Sequence, residues 1–493
     1  MKKTFVKDLA IYAPSQFLPA LTAFITTPIL TRLLAPAEYG YWAQASSIAG
    51  LLVALAVSGM GSAALRFYPT YQAKGGLDAF FATLGVSVAV VVAGVAAIGF
   101  GAVRLLADVV PSWLAPLLPL VLLIFVAQSI YTVLISVIRA QRRSGAYTVI
   151  QLLNSYGGLG LGLLLVAMVG LGVAGLLWGT LLVLLIVTPA LMLLTTRGVG
   201  VHPGRFRVAD AAKVWQYAWP LTLGNVAMWG LRVSDLFIIS TFRPARDVGL
   251  YSVSYNISSK SIELLVSLFL LGVSPLIYGT WETQGREATE RVFTMVSRVY
   301  LLVCFPAAIG LTILALPFVQ LLTAPEYYEG ARIVVFVVFS SFVLGLANLA
   351  MLGLAIKQRA RRLGAIQIVA AALHVVLQVL LVPRYGYVAS AVSTLIGYTA
   401  LLAMQAWASH RYLTWRFPFT TLRNVIVASL VMGLAAWGTY GRSGATTSVS
   451  PSYLVLSIAV AVPVYVACLW WLGEIEDGEK RTVVTLWARV TGR

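Results

Sequence analysis

Charge is what this chain of 493 residues has least of. Only 11% of its residues are Asp, Glu, Lys or Arg, against roughly 25% in an average soluble domain, and 60% are hydrophobic. That balance excludes a soluble globular protein. Cysteine is nearly absent, with two residues, Cys304 and Cys468, too few and too widely separated for a disulfide framework or a thiolate metal site. Each lies in an apolar run, where a free cysteine packs as a small hydrophobe. With 17 acidic residues and three histidines, no paired carboxylates and no metal-ligand spacing stand out, so neither a metal nor a cofactor is expected. A GxxxxGK[ST] loop is also missing, which leaves no site to cradle a nucleotide phosphate. Long polar segments are missing too. The longest, around 197–217, suits an interfacial helix and is far too short for a catalytic domain of ordinary size.

What is present is a series of apolar runs. A bilayer core about 30 Å thick needs ~20 apolar residues per helix, and fourteen such windows occur: 9–33, 40–62, 80–104, 113–138, 146–169, 171–195, 216–241, 249–278, 294–318, 331–355, 363–382, 386–409, 422–440 and 452–472. Runs this long are helices rather than barrel strands, because a lipid-embedded helix satisfies its own backbone groups. The first run follows Lys2, Lys3 and Lys7 but is too long for a signal-peptide core and lacks a small-residue cleavage site, so it is expected to be an uncleaved first span.

The net charge of +18 follows from topology. With the N-terminus inside, seven of the 35 Lys and Arg residues fall outside: Arg32, Arg104, Arg243, Arg246, Arg332, Arg384 and Arg442. Two more, Arg232 and Lys260, are within spans, and the remaining 26 lie on the inner side. This asymmetry places both termini in the cytoplasm and removes any need for a nucleic-acid partner.

Three short motifs recur about 210 residues apart. "APAEYGYW" at 35–42 is echoed by "RPARDVGLY" at 243–251, "RRSGA" at 142–146 by "RRLGA" at 361–365, and "GVAGLLWGTL" at 172–181 by "GYVASAVSTL" at 386–395. The expected architecture is therefore an all-α polytopic membrane protein of about 14 transmembrane helices. Two six-helix bundles, related by a pseudo-two-fold along the membrane normal, occupy 1–196 and 216–415, with a cytoplasmic linker at 197–215. Two further spans lie in 416–473, and 474–493 forms a cytoplasmic tail with an amphipathic turn through Val484, Trp487 and Val490. Parallel repeats of this kind belong to transporters, with the site between the halves near the midplane.

Two polar stripes interrupt the apolar runs. Asn225, Trp229, Arg232 and Asp235 fall on one face of span 7, and Ser252, Tyr255, Asn256, Ser259, Lys260 and Glu263 mark span 8. A charge at the bilayer centre costs about 2.5–3.5 kcal/mol even on lenient scales, so these four charged groups must avoid lipid. In one reading Arg232 pairs with Asp235 and Lys260 with Glu263 as structural glue. In the other the cations, together with Arg66 at the end of span 2, line a cavity for an anionic substrate. His374 and Arg298 are weaker candidates. In the soluble segment near 281–298, Glu282 with Arg286 and Glu287 with Arg291 have the i,i+4 spacing of an exposed helix.

The stretches "ITTPILTRLLAPAEYGYWAQ", "SGMGSAALRFY", "YAWPLTLGNVAMWGLRVSDLFIISTFRPARDVGLYSVSYNIS" and "LLVPRYGYVASAVSTLIGY" resemble Wzx-type polysaccharide or O-antigen flippases of the multidrug/oligosaccharidyl-lipid/polysaccharide (MOP) exporter superfamily, and the likeness runs through essentially the whole chain. The resemblance implies a multi-pass protein of the bacterial cytoplasmic (inner) membrane, not an enzyme, that turns undecaprenyl-diphosphate-linked oligosaccharide from the cytoplasmic to the periplasmic leaflet by alternating access, for O-antigen, capsule or exopolysaccharide synthesis. It implies a cationic cavity for the diphosphate, for which Arg66, Arg232 and Lys260 are the candidates. Asp235 and Glu263 are the candidate counter-charges or coupling sites for H⁺ or Na⁺, and Asn225, Tyr255, Asn256 and Ser259 the polar lining. Spans 13 and 14 flank the entry of the lipid tail. Membrane lipids and the polysaccharide polymerase and chain-length machinery are the expected partners. A multidrug or cation exporter of the same superfamily should favour an acidic cavity. A membrane polymerase or ligase should carry catalytic groups on a large external loop.

Reporter fusions after Ser112, Pro244 and Arg442 are expected to read periplasmic, and fusions after Arg143, Arg286 and Arg493 cytoplasmic. A cytoplasmic signal at Pro244 would break both the span count and the repeat.

Overall fold

A computed structural model describes residues 24–105, 111–200, 202–357, 359–441 and 451–474. All regular structure among them is helical. In order the α-helices are α1 (24–33), α2 (Pro36–Ala73), α3 (Leu77–Leu105), α4 (Leu118–Ala140), α5 (Ser144–Leu152), α6 (Gly158–Val169), α7 (Gly172–Thr196), α8 (Val208–Phe242), α9 (Ala245–Ile313), α10 (Ala315–Leu322), α11 (Val334–Ile356), α12 (Ala360–Tyr385), α13 (Tyr387–His410), α14 (Phe419–Gly441) and α15 (Pro451–Trp471). Eleven helices among the described residues are long and apolar enough to cross a membrane. One of them, α9, is two arms merged across Gly285, whose φ of 77° and ψ of −165° leave the helical region. These arms carry the apolar runs 249–278 and 294–318 and are two helices, the expected spans 8 and 9. With α8 and the first run added, the architecture is the polytopic one of about fourteen spans.

Two expectations about the soluble segments change. The 197–217 stretch forms no separate interfacial helix, because after a single turn at Pro203–Arg205 the chain enters α8 directly. No Pro or Gly stands between Val208 and Trp219 to stop the helix. Arg286 does not pair with Glu282, because the break at Gly285 removes the helical turn between them. It bonds Glu290 instead, at 2.8 Å. Glu290 lies outside both apolar arms. Burial alone would raise its carboxyl pKa, but hydrogen bonds from Arg286 and from the Thr414 backbone N–H hold it below the ordinary value. The tail positions Val484, Trp487 and Val490 lie outside the described residues, as do the first 23.

The chain divides into two compact units, one comprising Met1–Val253 with Gln367–Ser393 and the other Ser254–Ile366 with Thr394–Arg493. In the first, α2 is the hub, packed on α3, α4, α7 and α8. Its start follows from "APAE": Pro36 occupies the first turn, where no N–H is needed, and the Glu38 carboxylate accepts the Ala35 N–H at 3.0 Å. "RPARDVG" opens α9 in the same way, with Asp247 in the first turn. The Arg243 Nη2 donates to the Pro383 carbonyl at 3.1 Å, satisfying one of the last acceptors of α12.

The two echoed motifs then pack on one another. A Cβ on Gly40 would lie 2.4 Å from the Ala245 carbonyl oxygen, and one on Gly249 would lie 1.7 Å from that of Pro36. The contact is reciprocal, as a two-fold relation between repeats requires, and only glycine allows it. Nineteen residues further along α2 from Gly40, the Gly59 N–H donates to Thr222 Oγ1 of α8 at 3.2 Å.

In the second unit the core runs along α9 and α11. Tyr300, fully buried, donates to the Phe342 carbonyl at 2.7 Å and stacks on the Phe342 ring. The α14–α15 hairpin joins this core through Tyr465, which donates to the Leu302 carbonyl at 2.9 Å.

Gly249→Val should abolish folded protein in membranes, since its added carbons meet backbone rather than a side chain that can move. Gly94→Ala, in open space on α3, should leave yield and melting temperature unchanged. Detergent size-exclusion profiles of the two variants check this, and a normal Gly249→Val profile would contradict the crossing.

Candidate functional site

Asp235 of span 7 is deeply buried, 1% exposed on α8. Among the described residues, other helices bring three side chains to it. Tyr251, on the first turns of α9, donates its hydroxyl to Asp235 Oδ2, and Gln378 of α12 donates its amide N–H to Oδ1. His374 Nε2 is 3.3 Å from the same Oδ1 and 2.6 Å from Gln378 Nε2. Tyr251 and His374 are 1% exposed and Gln378 is fully buried, so the four form a dry polar node inside the first unit. The local reasons are simple. Gly249 brings the start of α9 against α2, and Tyr251 follows it by two residues, whereas His374 and Gln378 sit at i,i+4 on one face of α12.

A carboxylate stripped of water costs several kcal/mol unless donors replace its hydration. Here a phenol and an amide do so, and an imidazole stands beside them. The node sets a carboxylate and an imidazole 3.3 Å apart, both buried. The Arg232–Asp235 pair expected from spacing involves a side chain that lies outside the described residues, although Arg232 itself is on α8. The signal in the sequence was the His374/Gln378 pair on an otherwise apolar helix. Tyr251, hidden among the aromatics of the loop motif, gave none.

The second expected pair forms as the spacing suggested. Lys260 Nζ lies 2.7 Å from Glu263 Oε2, with both side chains about one-third exposed. Nearby, Ser259 is buried, while Tyr255 and Asn256 are half-buried. These five residues belong to the second unit, and Arg66, Asn225, Trp229 and Asp235 belong to the first. Arg66 is exposed on α2 and has no carboxylate partner among the described residues, and Asn225 is exposed on α8. Trp229 packs against Gly50 of α2.

Arg298 takes a structural role. Its Nε donates to Glu474 at 3.1 Å, and the same carboxylate accepts Thr421 Oγ1 at 2.6 Å and Asn424 Nδ2 at 2.8 Å. Glu474, expected in a solvated tail, therefore ties the end of the α14–α15 hairpin to α9 within the second unit.

The fold is similar to that of the lipid II flippase MurJ in an inward closed conformation, with a TM-score of 0.76 at 12% identity over 98% of this chain and 100% of that one. It is also similar to an inward-facing multidrug resistance MATE family transporter of the MOP superfamily, with a TM-score of 0.62 at 12% identity over 79% of this chain and 94% of that one. No curated protein sequence matches it. A family model described as "Polysaccharide biosynthesis protein" matches residues 29–332, more than half of the chain. The chain belongs to that family.

Asp235→Ala would leave the Tyr251 and Gln378 donors and the neighbouring His374 imidazole facing an empty buried site. The expected loss is about 3–5 kcal/mol, read as a clear drop in the melting temperature of the purified protein. Asp235→Asn keeps the volume and should lose less. Equal melting temperatures for wild type and Asp235→Ala would contradict the node.

Proposed function

We propose that the chain is a flippase that carries undecaprenyl-diphosphate-linked oligosaccharide from the cytoplasmic to the periplasmic leaflet of a bacterial inner membrane by alternating access. The product would feed O-antigen, capsule or exopolysaccharide synthesis. The observation that carries the reading is the polysaccharide-biosynthesis family match on a chain whose spans hold cations at their centres. A diphosphate cannot cross hydrocarbon unaided, and Arg and Lys supply strong, charge-assisted hydrogen bonds where water is scarce.

In this reading Arg66, Arg232 and Lys260 receive the diphosphate, and Asn225, Tyr255, Asn256 and Ser259 meet the sugars. The two six-helix halves read from the repeat are the moving parts, and spans 13 and 14 flank the lipid tail. Lys260 begins paired with Glu263. A diphosphate with two or more charges competes for that ammonium better than a single carboxylate, and Glu263 is then released to take up an ion. Asp235 is the second coupling candidate. The ion it would exchange is H⁺ or Na⁺. A drug or cation exporter built on the same fold would not need unpaired Arg66 at its inner end. The polymerase and chain-length machinery would receive the flipped product.

Arg232→Ala and Lys260→Ala should each stop polysaccharide export while the protein stays inserted and abundant. Asp235→Asn and Glu263→Gln should weaken flipping more than they weaken binding of the lipid-linked substrate to purified protein. A fully active Arg232→Ala/Lys260→Ala double variant would end the proposal for these cations, and equal losses in both assays would make the carboxylates part of the binding scaffold.

A further inference from the structure

At one end of the first unit, the last turns of α2 and the first turns of α8 enclose a pocket of about 290 Å³ lined by Phe67, Thr70, Tyr71, Lys74, Arg207, Asp210, Lys213 and Val214. It lies apart from the buried charges of spans 7 and 8. Three of its side chains are cationic and one is anionic, and the anion is already engaged. Asp210 is buried, accepts a hydrogen bond from Tyr71 and lies 3.3 Å from Lys213 Nζ. Among the described residues neither Lys74 nor Arg207 meets a carboxylate. Arg207, Asp210, Lys213 and Val214 follow one another at helical spacing, so one face of the first turns of α8 lines the pocket. The segment leading to it is fixed: the Arg207 N–H donates to Thr83 Oγ1 at 3.4 Å, and Arg205 pairs with Asp78 at 3.5 Å.

The depth of the pocket follows from the residues after it. Trp215, Tyr217 and Trp219 are all exposed, and the two indoles stack at 5.9 Å. Exposed Trp and Tyr mark the membrane–water boundary. Asp210 precedes the middle of this belt by seven residues, or roughly 10 Å of helix, which sets the pocket at the level of the lipid phosphates. Phe67 and Val214 add an apolar floor that a freely dissolved anion has no use for.

We propose that this pocket binds the phosphate group of an anionic membrane lipid, held by Lys74, Arg207 and Lys213, with the glycerol and upper chain against Phe67 and Val214. The Lys/Arg distribution puts it in the cytoplasmic leaflet. The bound lipid would bridge the end of α2 to the start of α8, the helix that carries Arg232 and Asp235. The inference stands whether or not the transported substrate is the one proposed above.

The test uses the purified full-length protein, with native mass spectrometry and thermal melting in the presence of phosphatidylglycerol, phosphatidylcholine, or inorganic phosphate. Phosphatidylglycerol should form retained adducts and raise the melting temperature saturably, while phosphatidylcholine and inorganic phosphate should not. Lys74→Gln/Lys213→Gln should weaken phosphatidylglycerol binding about tenfold or more, as expected when two charge-assisted contacts are lost. Arg361→Gln/Arg362→Gln, which removes the same charge from the exposed start of α12, should not. If the Lys double variant folds poorly, Lys213→Gln alone, at an exposed side chain, should still reduce adducts measurably. Equal binding by the two double variants would mean general charge attraction and overturn the site. An equal effect from inorganic phosphate would overturn the lipid assignment.

Discussion

The reciprocal approach of Gly40 and Gly249 is the constraint on which the first unit depends. Two helix starts, each opened by a proline and an acidic residue, meet so closely that neither tolerates a side chain at the contact. Once α9 is anchored there, Tyr251 is delivered to Asp235, and the carboxylate gains a donor from another helix. α2 also holds α8 at Gly59 and Thr222, so the helix bearing Asp235 is fixed relative to both. The polar node exists because a backbone contact determines where three other helices can go.

In a bilayer the same logic governs the remaining charges. Lipid offers no solvation, and among the described residues three ionic groups of the spans are found with partners: Asp235 with Tyr251, Gln378 and His374, the half-buried Lys260 with Glu263, and Arg298 with Glu474 and the hairpin end. These are unequal in kind. The Arg298 clasp closes a helix hairpin onto its core and has several hydrogen bonds to lose. Lys260 and Glu263 share one contact on one helix and remain partly exposed, which makes theirs the pair that an incoming anion can most readily reorganise.

Much of the architecture was legible in the sequence because hydrophobic length is a strong and nearly sufficient signal in lipid. The echoed "APAEYG" and "PARDVG" motifs marked the very glycines that touch. The pairing of Lys260 with Glu263 followed from i,i+3 spacing alone. What spacing could not supply were partners from distant helices. Nothing in a linear reading brings Gln378 to Asp235 across 143 positions. Glu474 looked like tail because its single carboxylate follows a predicted span by two residues. The break at Gly285 falls in the polar segment between the runs 249–278 and 294–318, where a glycine is a readable turn signal.

The central claim is that this fold moves a lipid-linked, diphosphate-bearing saccharide across the membrane. The most direct measurement reconstitutes the purified protein into vesicles preloaded in both leaflets with undecaprenyl-diphosphate-linked oligosaccharide, and follows how much of the sugar becomes accessible to a membrane-impermeant lectin or glycosidase. The account predicts that accessibility rises from the outer-leaflet fraction, about half in a symmetric bilayer, towards completion as inner-leaflet substrate crosses to replace what is consumed, and that empty vesicles stay at the starting fraction. Protein-containing vesicles that also stay at that fraction, with and without an imposed proton gradient, would contradict it.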